Sequence, residues 1–512
     1  MVASKLIYID PPYNTGQDFV YPDNYADPLK NYLQLTGQID AEGNLLTSNP
    51  ETSGRYHSTW LSMIYPRLFI ARQLLSDDGV ICVSIDDHEM HHLRIVMNEI
   101  FGEENRIECF IWKKSYGGGA KERYAVTQHE YVLAYAKDLT SVEELWLPPD
   151  PAAEGRYYKY KDEKFESRGP YRIKPLEATK SMDPRPNLVY PIPTPEGGEI
   201  MPKRQWWWKK ERTMAALANN ELAFTGDGEG RSVSYKQYLR DENGEARGAK
   251  PFSIIDGIYT QQGTADLQEL FGETVIQFPK PVALMKKLIN MACAADEGHI
   301  ILDFFAGSAT TAQAVLELNR DDGGNRKLIM VQLPEPTGNP KFPRITDIGE
   351  ERIRRVIQKI RRDSQQGLDL QENPAGEDLG LKIFKLAKPN IQPWASDESR
   401  DPDTYAQKLV LFNDPLVPGW KPEDVIWEVA LREGFGLRTS FASRDLANGN
   451  RVYEVSDPEN GQSLVICLDD QIRADLTRAL ELKTDDLFIC RDIALDDSAA
   501  ANLALQCRLK TI

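Results

Sequence analysis

The chain has 512 residues, of which 41% are hydrophobic and 27% charged, and its net charge is −17. This composition is typical of a globular protein with several domains, and it excludes collagen-like chains, wholly disordered chains and small disulfide-rich scaffolds. No apolar run approaches the ~18 residues that cross a membrane, and the six cysteines form no C-x-x-C pair. We therefore expect a cytoplasmic protein with no membrane contact, no disulfide and no zinc site.

Apolar runs alternate with amphipathic stretches on both sides of the middle of the chain, which predicts an α/β fold with a mainly parallel sheet. The first stretch predicts strands over Leu6–Ile9, Val80–Ile85, Phe110–Lys113 and Tyr131–Ala136, helices over Trp60–Leu75 and His88–Phe101, and a turn at Asp77-Asp78-Gly79. The later stretch predicts helices over Lys280–Ala295, Thr310–Asn319 and Ile348–Arg362 and strands over Ile300–Phe305 and Lys327–Leu333.

Between Gly117 and about Gly272 this alternation of strand and helix patterns is lost, and proline and glycine become frequent. The change predicts an inserted, irregular module. Residues 112–250 carry 24 Lys or Arg against 21 Asp or Glu in an otherwise acidic chain, which hints that any polyanion binds there. We predict a linker over 366–380 and a separate acidic domain over 381–512. The predicted divisions are 1–116, 117–270, 271–365, 366–380 and 381–512.

Asp10-Pro11-Pro12-Tyr13 directly follows the first apolar run. An amine on a nucleobase is a poor nucleophile, because its lone pair is delocalised into the ring. A carboxylate and a backbone carbonyl can accept its two N–H protons and favour a pyramidal amine whose lone pair points at an electrophile. Two prolines stiffen the turn, and a tyrosine ring can stack on an extruded base. Taken alone, the four residues also fit a strand-ending turn with a capping aspartate.

A second motif runs from Ile300 to Thr311, where a buried strand leads into a turn of small residues and then into a helix. Such a turn lets a ligand approach the backbone closely at the carboxyl end of the strand. The motif lacks the G-x-G-x-x-G fingerprint and the Walker lysine, which disfavours a dinucleotide and a phosphate cradle. Glu335 follows the next strand and could accept hydrogen bonds from a ribose diol. Tight packing alone would also explain the small residues.

Together these motifs resemble the β-class amino-methyltransferases that use S-adenosylmethionine, and more closely the modification (Mod) subunit of type III restriction-modification systems. Asp10-Pro11-Pro12-Tyr13-Asn14-Thr15-Gly16 matches the catalytic D-P-P-Y-N-T-G of the family, and Asp303-Phe304-Phe305-Ala306-Gly307-Ser308 matches its cofactor motif. Phe278-Pro279-Lys280-Pro281 matches the segment before that motif. The catalytic motif precedes the cofactor motif, which is the β-class order.

The resemblance implies a Rossmann-like S-adenosylmethionine-dependent methyltransferase fold with helices on both faces of the sheet, an inserted target-recognition domain and a C-terminal α+β domain. The implied activity is methyl transfer to adenine N6 in duplex DNA. The implied partners are DNA, a second Mod copy and a Res subunit with helicase and endonuclease activity. The implied catalytic residues are Asp10, Pro11, Pro12 and Tyr13, and the implied cofactor-binding residues are Lys280, Asp303, Phe304, Phe305, Ala306, Gly307, Ser308 and Glu335.

Two departures from the family pattern open alternatives. Ala309 stands where the family usually has glycine, so a methyl group could crowd the turn. The family also normally carries an upstream segment with a G-D-N element, whereas here Asp10 is preceded by nine residues. We therefore expect that segment to be missing, and one alternative is a non-catalytic DNA-recognition or assembly subunit. Another is cytosine-N4 transfer, which Asp10 disfavours because such enzymes more often have serine there.

Three further features of the sequence allow both a structural and a functional interpretation. One feature is the run Trp206-Trp207-Trp208, and another is the lysine pairs around it. Both suit a nucleic-acid surface. Alternatively, the tryptophans form a buried cluster and the lysines lie on a solvated face. His88, His91 and His92 could suggest a metal ion, since His88 and His91 share a helical face, but without a carboxylate or cysteine partner at metal-ligand spacing we expect no metal site.

Overall fold

The structure is a computed structural model that describes residues 3–16, 56–117, 124–143, 145–148, 155–178, 183–226, 231–244, 248–295, 297–365, 379–392, 414–473 and 476–512. The chain divides into two compact units, Met1–Gly380 and Leu381–Ile512. Among the helices of these described ranges, none combines the length and the apolar composition needed to cross a bilayer.

A seven-stranded sheet forms the centre of the first unit, and three smaller sheets accompany it. The strands of this unit are β1 (Ser4–Ile9), β2 (Leu75–Ile85), β3 (Arg106–Lys113), β4 (His129–Ala136), β5 (Tyr171–Pro175), β6 (Ile192–Pro193), β7 (Glu199–Ile200), β8 (Leu222–Thr225), β9 (Ser232–Tyr238), β10 (Ile254–Ile255), β11 (Ile300–Asp303), β12 (Lys327–Met330), β13 (Pro336–Asn339) and β14 (Phe342–Arg344). The large sheet has the order β10-β3-β4-β2-β1-β11-β12. β1 is parallel to both of its neighbours, and only β4 runs antiparallel to the strands beside it.

Helices cover both faces of this sheet. Those of the first unit are α1 (Tyr56–Leu74), α2 (Met90–Phe101), α3 (Phe165–Arg168), α4 (Lys210–Ala218), α5 (Thr260–Phe271), α6 (Val282–Ala292), α7 (Thr310–Asp322) and α8 (Ile345–Gln365). Side chains alternate along β1, as a strand between two layers requires. Leu6 and Tyr8 lie in the core with α6 and α7, whereas Ile7 and Ile9 lie in the core with α1 and α2. The fold is therefore the expected mainly parallel, Rossmann-like sheet between helical layers.

The strand order reverses between β1 and β11. After β1 the described chain enters α1 and returns as β2 on one side of β1, whereas β11 leads through α7 to β12 on the other side. Open α/β sheets bind ligands outside the carboxyl ends of the strands at such a reversal. The register Ile7↔Leu302 brings the carboxyl ends of β1 and β11 to the same edge. Both sequence motifs begin at that edge.

The segment predicted to be irregular contains a compact module. β5, β9 and β8 form an antiparallel sheet, and α4 and the β6–β7 hairpin pack with it around a core that includes Trp206. Trp207, in contrast, is 48% exposed, so the tryptophan run is only partly buried. The strands are short and widely spaced along the chain, which is why their pattern was missed.

The end of the predicted insert returns to the large sheet. β10 pairs in parallel with β3, and Leu267 of α5 packs against Ile348 of α8.

The predicted turn at Asp77-Asp78-Gly79 also differs in the structure, because it lies inside β2. There the register jumps from Ser4↔Leu75 to Leu6↔Val80, and Lys5 forms an ion pair with Asp78.

The second unit has its own five-stranded sheet and its own core. Its strands are β15 (Ser440–Asp445), β16 (Arg451–Asp457), β17 (Gln462–Cys467), β18 (Leu487–Cys490) and β19 (Arg508–Thr511), and its helices are α9 (Pro422–Arg432), α10 (Leu476–Leu480) and α11 (Asp497–Ala504). β15, β16 and β17 are antiparallel, whereas β17, β18 and β19 are parallel. Val425, Ile426 and Ile466 are central to the core.

A close approach between α5 and the Phe278–Pro281 segment generates a prediction about Gly263. A Cβ at this buried position would lie 2.1 Å from the Pro279 oxygen and 2.9 Å from the Lys280 carbonyl carbon. Gly263→Ala should therefore push the segment away and destabilise the protein by about 2 kcal/mol, despite the better helix propensity of alanine. Urea unfolding measures this change. Gln261→Ala, at an exposed position of the same helix, is the control and should be nearly neutral.

Candidate active site

Residues of α1 form hydrogen bonds that hold the Asp10–Tyr13 turn in place. The Trp60 indole Nε1 donates to the Pro12 oxygen at 2.7 Å, and Trp60 itself is fully buried. Asn14, which follows the turn, has a φ of 61° and a buried side chain. The Tyr56 hydroxyl donates to the Asn14 carbonyl oxygen. A rigid Pro-Pro turn with both ends anchored presents Asp10 in one orientation.

Four polar side chains meet at this turn. The Tyr13 hydroxyl lies 2.9 Å from Asp10 Oδ1 and 3.1 Å from Glu130 Oε2. The Lys280 ammonium lies 2.6 Å from the Tyr13 hydroxyl, 2.9 Å from Glu130 Oε2 and 3.2 Å from Asp10 Oδ1. Lys114 donates to the other oxygen of Glu130 at 2.9 Å. The network joins residues from β1, β4 and the segment before α6.

The charges in this network balance one another. Burial would raise the pKa of Glu130, but the ammonium groups of Lys280 and Lys114 outweigh it and hold that pKa below its usual range. Burial would lower the pKa of Lys280, but the Asp10 and Glu130 carboxylates raise it, so Lys280 stays charged. Burial raises the pKa of Asp10 and Lys280 only partly opposes it. Asp10 is therefore the more basic of the two carboxylates.

The turn offers hydrogen-bond acceptors and few competing donors. Tyr13 and Lys280 both contact Oδ1 of Asp10, while no described residue donates to its Oδ2. Nor does any described residue donate to the Pro11 carbonyl, whereas the Pro12 carbonyl is taken by Trp60. One carboxylate oxygen and one carbonyl oxygen thus remain available to a ligand with two N–H groups.

Asp303 ends β11 and is the second buried carboxylate at this edge of the sheet. Its oxygens accept from Thr311 Oγ1 at 2.6 Å and from the Phe305 N–H at 3.1 Å. Burial, with a smaller contribution from the charge of Asp10, raises the pKa of Asp303 to about 7, although the two hydrogen bonds oppose the shift. Within the described ranges Asp303 forms no ion pair, so a cationic ligand would meet an unneutralised partner.

The turn after Asp303 is shaped by residues with unusual backbone angles. Gly307 has a φ of 52°, and its N–H donates to Gln332 Oε1 at 2.7 Å. Ala309 has a φ of 65°, a conformation that favours glycine, and it is fully buried. The expected crowding is relieved by Gly349, since a Cβ there would lie 3.4 Å from the Ala309 Cβ.

Arg352 supports this turn from α8. Its guanidinium is fully buried and donates to the Ser308 carbonyl at 3.2 Å, to Thr310 Oγ1 at 2.8 Å and to Gln313 Oε1 at 2.7 Å. Burial lowers the pKa of Arg352 to about 10, because no carboxylate pairs with it directly. Burying an arginine that bonds only to neutral acceptors costs free energy. The hydrogen bonds of Arg352 nevertheless hold the turn in one conformation, and we take this to be its contribution.

The structure divides the expected residues into two groups. Asp10, Pro11, Pro12 and Tyr13 form one turn, and Asp303 to Ser308 form the other, with Phe305, Ala306 and Ser308 buried. Lys280, expected with the cofactor group, contacts the side chains of the first group. Glu335 is partly buried beyond β12, where Gln332 Nε2 lies 3.5 Å from its Oε1. The assignments themselves stay predictions.

Sequence reasoning missed three residues that the structure brings to the site. Glu130 is the clearest, and its signal was a lone carboxylate at the start of an apolar strand. Gln332 and Arg352 lie on elements that were predicted, but nothing local distinguishes them from other polar residues. Their partners are 25 and 44 residues away in the chain.

The sequence of this chain is similar to those of several known proteins. The profile of the DNA methylase family matches residues 4–356. The Mod subunit of the type III restriction-modification enzyme StyLTI from Salmonella typhimurium is 36% identical over 76% of this chain and 57% of its own length. The EcoP15I Mod subunit from Escherichia coli is 30% identical over 86% and 70%. The type II methyltransferase M.KpnI from Klebsiella pneumoniae is 31% identical over 68% and 81%. The chain thus spans little more than half the length of the StyLTI subunit.

The role of Arg352 can be tested by Arg352→Met, which keeps the length of the side chain but removes its donors. Loss of these bonds leaves the acceptors of the turn unsatisfied in the core, so we expect a destabilisation of about 2 kcal/mol in urea unfolding. Arg354→Met is the control, because Arg354 is half-exposed and pairs only with surface glutamates. That change should cost less than about 0.5 kcal/mol. Equal effects of the two substitutions would contradict the assigned role.

Proposed function

The chain belongs to the DNA methylase family, and from this premise we propose that it transfers a methyl group from S-adenosyl-L-methionine to the N6 amine of adenine in duplex DNA. We propose further that it does so as the modification subunit of a type III restriction-modification system. The observation that carries the proposal is the parallel pairing of β1 and β11, since it puts the Asp10 turn and the Asp303 turn side by side at the reversal of strand order.

The residues around Asp303 fit a ligand with a positive charge and a polar sugar. When bound, S-adenosylmethionine supplies an electrophilic methyl group on a positively charged sulfur. Asp303 offers a buried carboxylate without a cationic partner among the described residues. Gly307 leaves space beside the backbone, since a Cβ there would meet nothing closer than the Phe305 oxygen at 4.0 Å. Glu335 offers acceptors for a ribose diol.

The residues around Asp10 fit an aromatic amine. In the proposed reaction Oδ2 of Asp10 and the Pro11 carbonyl accept the two N–H protons of the adenine amine, which orients its lone pair. Tyr13 donates to Oδ1 and so fixes the carboxylate. Its ring would stack on the base, with the Lys280 ammonium 4.8 Å from the ring centroid. The prolines contribute no N–H that would compete with the amine.

The proton balance also favours Asp10. As the new N–C bond forms and the S–C bond breaks, the nitrogen becomes positively charged and must lose one proton. Asp10 is in contact with that proton in the proposed pose, and burial has raised its pKa. Glu130 is less suited, because Lys280 and Lys114 hold its pKa low. Asp10 would accept the proton and pass it to solvent.

The module around β5, β9 and β8 is proposed as the target-recognition region. Its sheet carries cations beside aromatic rings, a combination that suits nucleic acids. Arg172 lies 5.2 Å from the Tyr158 ring centroid, and the rings of Tyr160 and Tyr171 stack at 5.6 Å. Tyr160 is also half-exposed.

The names of the relatives support proposals about partners. Three relatives at 30–36% identity are Mod subunits of type III restriction-modification enzymes. We propose a Res subunit with helicase and endonuclease activity as the partner, and a second copy of this chain in the assembly. The second unit, Leu381–Ile512, is the proposed assembly surface. A protein that modifies chromosomal DNA in a bacterium would work in the cytoplasm.

The central test separates binding from transfer. Asp10→Asn keeps the size of the side chain but turns an acceptor into a donor, so methyl incorporation from labelled cofactor into duplex DNA should fall at least about 100-fold. Binding of the cofactor should change little, which equilibrium dialysis measures. The control Asp256→Asn alters an exposed carboxylate and should leave both readouts unchanged.

Two outcomes would overturn the proposal. DNA binding by the wild-type chain without any incorporation would favour a non-catalytic recognition subunit. Incorporation that mass spectrometry of the nucleosides assigns to N4-methylcytosine would make cytosine the target base.

A pH dependence follows from Asp303. Below its pKa of about 7 the group is protonated, and it must lose the proton before it can face a cation. Affinity for S-adenosylmethionine should therefore rise about tenfold between pH 5.5 and 7.0. Calorimetry in buffers of different ionisation enthalpy should detect the released proton. Asp303→Asn should flatten the profile, whereas a wild-type affinity that is constant over this range would contradict the role of Asp303.

A further inference from the structure

A cluster of side chains that could bind a metal ion lies near the Asp10 turn, where α1 and α2 begin. Glu89 directly precedes α2, and its side chain lies between two histidines. The His57 Nδ1 atom of α1 lies 2.6 Å from Glu89 Oε1, and the His92 Nδ1 atom of α2 lies 2.8 Å from Glu89 Oε2. The ligating atoms of the three residues all lie within 4.8 Å of one another.

Glu89 lacks a permanent positive partner. It is 0% exposed, and in the described part of the chain its only ionisable partners are His57 and His92. A histidine is charged only when it is protonated, and no lysine or arginine of the described ranges pairs with this carboxylate. Buried carboxylates are normally paired with a fixed charge or bound to a metal. Glu89 also makes no capping hydrogen bond to the N–H groups of α2.

The histidine rings are packed closely together beside Glu89. The ring centroids of His57 and His92 are 4.6 Å apart, and those of His91 and His92 are 3.9 Å apart. Imidazole nitrogens are common ligands of transition-metal ions.

We propose that His57, Glu89 and His92 form a binding site for a divalent transition-metal ion, with Zn²⁺ as the preferred ion. Two imidazoles and one carboxylate are a common ligand set for zinc, with water in the fourth position. Glu89, directly before α2, and His92, in its first turn, have the Glu-x-x-His spacing that can bring two ligands to one metal ion. The side chain of His57 is 47% exposed and that of His92 26%, so the ion can enter from solvent.

Metal binding requires a small rearrangement with a defined proton balance. The present nitrogen–oxygen distances of 2.6 and 2.8 Å are hydrogen-bond distances. Ligand atoms around a tetrahedral zinc ion are about 3.3 Å apart, so the side chains must separate by about half an ångström. Nδ1 must offer its lone pair to the ion, so a neutral histidine carries its proton on Nε2 instead, whereas a protonated histidine releases its Nδ1 proton to solvent.

The site is connected to the loop that carries the catalytic motif. The Asn14 side-chain amide donates to Glu89 Oε1, which is one of the oxygens that would bind the ion. Occupancy would therefore compete with, or reorient, a contact that anchors the chain just after Tyr13. Metal binding itself does not depend on the methyltransferase proposal.

Sequence reasoning missed this site for two reasons. It considered the histidines of one helix only, whereas His57 lies on α1. It also paired His88 with His91, but the His88 Nδ1 atom instead lies 2.9 Å from Asp86 Oδ1, away from the cluster.

The experiment uses the full chain after removal of metal with a chelator. Equilibrium dialysis with Zn²⁺ at pH 7.5 should give one ion per chain with a Kd of about 10 µM or tighter, since the site offers three protein ligands. Co²⁺ should give the visible absorption bands of a tetrahedral site. His57→Asn and His92→Asn should each weaken binding at least about tenfold. His88→Asn, which changes a neighbouring histidine outside the cluster, should bind like the wild type.

The folded state of each variant is checked by thermal unfolding without metal. If Zn²⁺ binds no tighter than about 100 µM, or if His57→Asn and His92→Asn bind as well as His88→Asn, the site does not exist. Thermal unfolding with Zn²⁺ gives an independent readout, because an ion that binds only the folded state raises its Tm. Wild type should show this rise and both cluster variants should lose it.

Discussion

The parallel pairing of β1 with β11 is the constraint on which the site depends. These two strands are distant in the chain; Asp10 directly follows β1, and Asp303 ends β11. Their register brings the two carboxylates to one edge, where the charge of Asp10 contributes to the raised pKa of Asp303. Lys280 compensates the charge on the Asp10 side only. Of the two carboxylates, Asp10 is thus paired with an ammonium group, whereas Asp303 has no ionic partner among the described residues; the proposed transfer from a cationic donor would use this asymmetry.

Glu130 makes this asymmetry stable. If Asp10 alone faced Lys280, the lysine could neutralise it fully and weaken it as an acceptor. Glu130 shares Lys280, and Lys114 contributes a second positive charge to the same carboxylate. Asp10 therefore keeps a raised pKa although an ammonium group lies 3.2 Å away. The antiparallel strand β4, which interrupts the parallel sheet, supplies the residue that sets this balance.

The sequence predicted features that depend on neighbouring residues in the chain. It did not predict contacts between residues that are distant in the chain. Apolar runs such as Leu6–Ile9 and Val80–Ile85 located the central strands, because strands buried on both faces have few alternatives. The two motif turns were found because their small and proline residues act on their own backbone. Glu130, Gln332 and the His57–Glu89–His92 cluster were missed, because each is defined by a partner on another element. The inserted module was predicted, but its strands were missed because they are short and lack a repeated pattern.

The face of α8 that packs on the turn after Asp303 explains how this chain tolerates Ala309. A non-glycine residue with a φ of 65° costs about 1 kcal/mol or more. Gly349 provides the space for the extra methyl group, and Arg352, one turn later on the same helix, donates to Ser308 and Thr310 on either side of that alanine. A strained position is kept when its surroundings determine it from several directions. The departure from glycine is therefore compatible with an ordered turn, because the helix that packs on it supplies both the space and the hydrogen bonds.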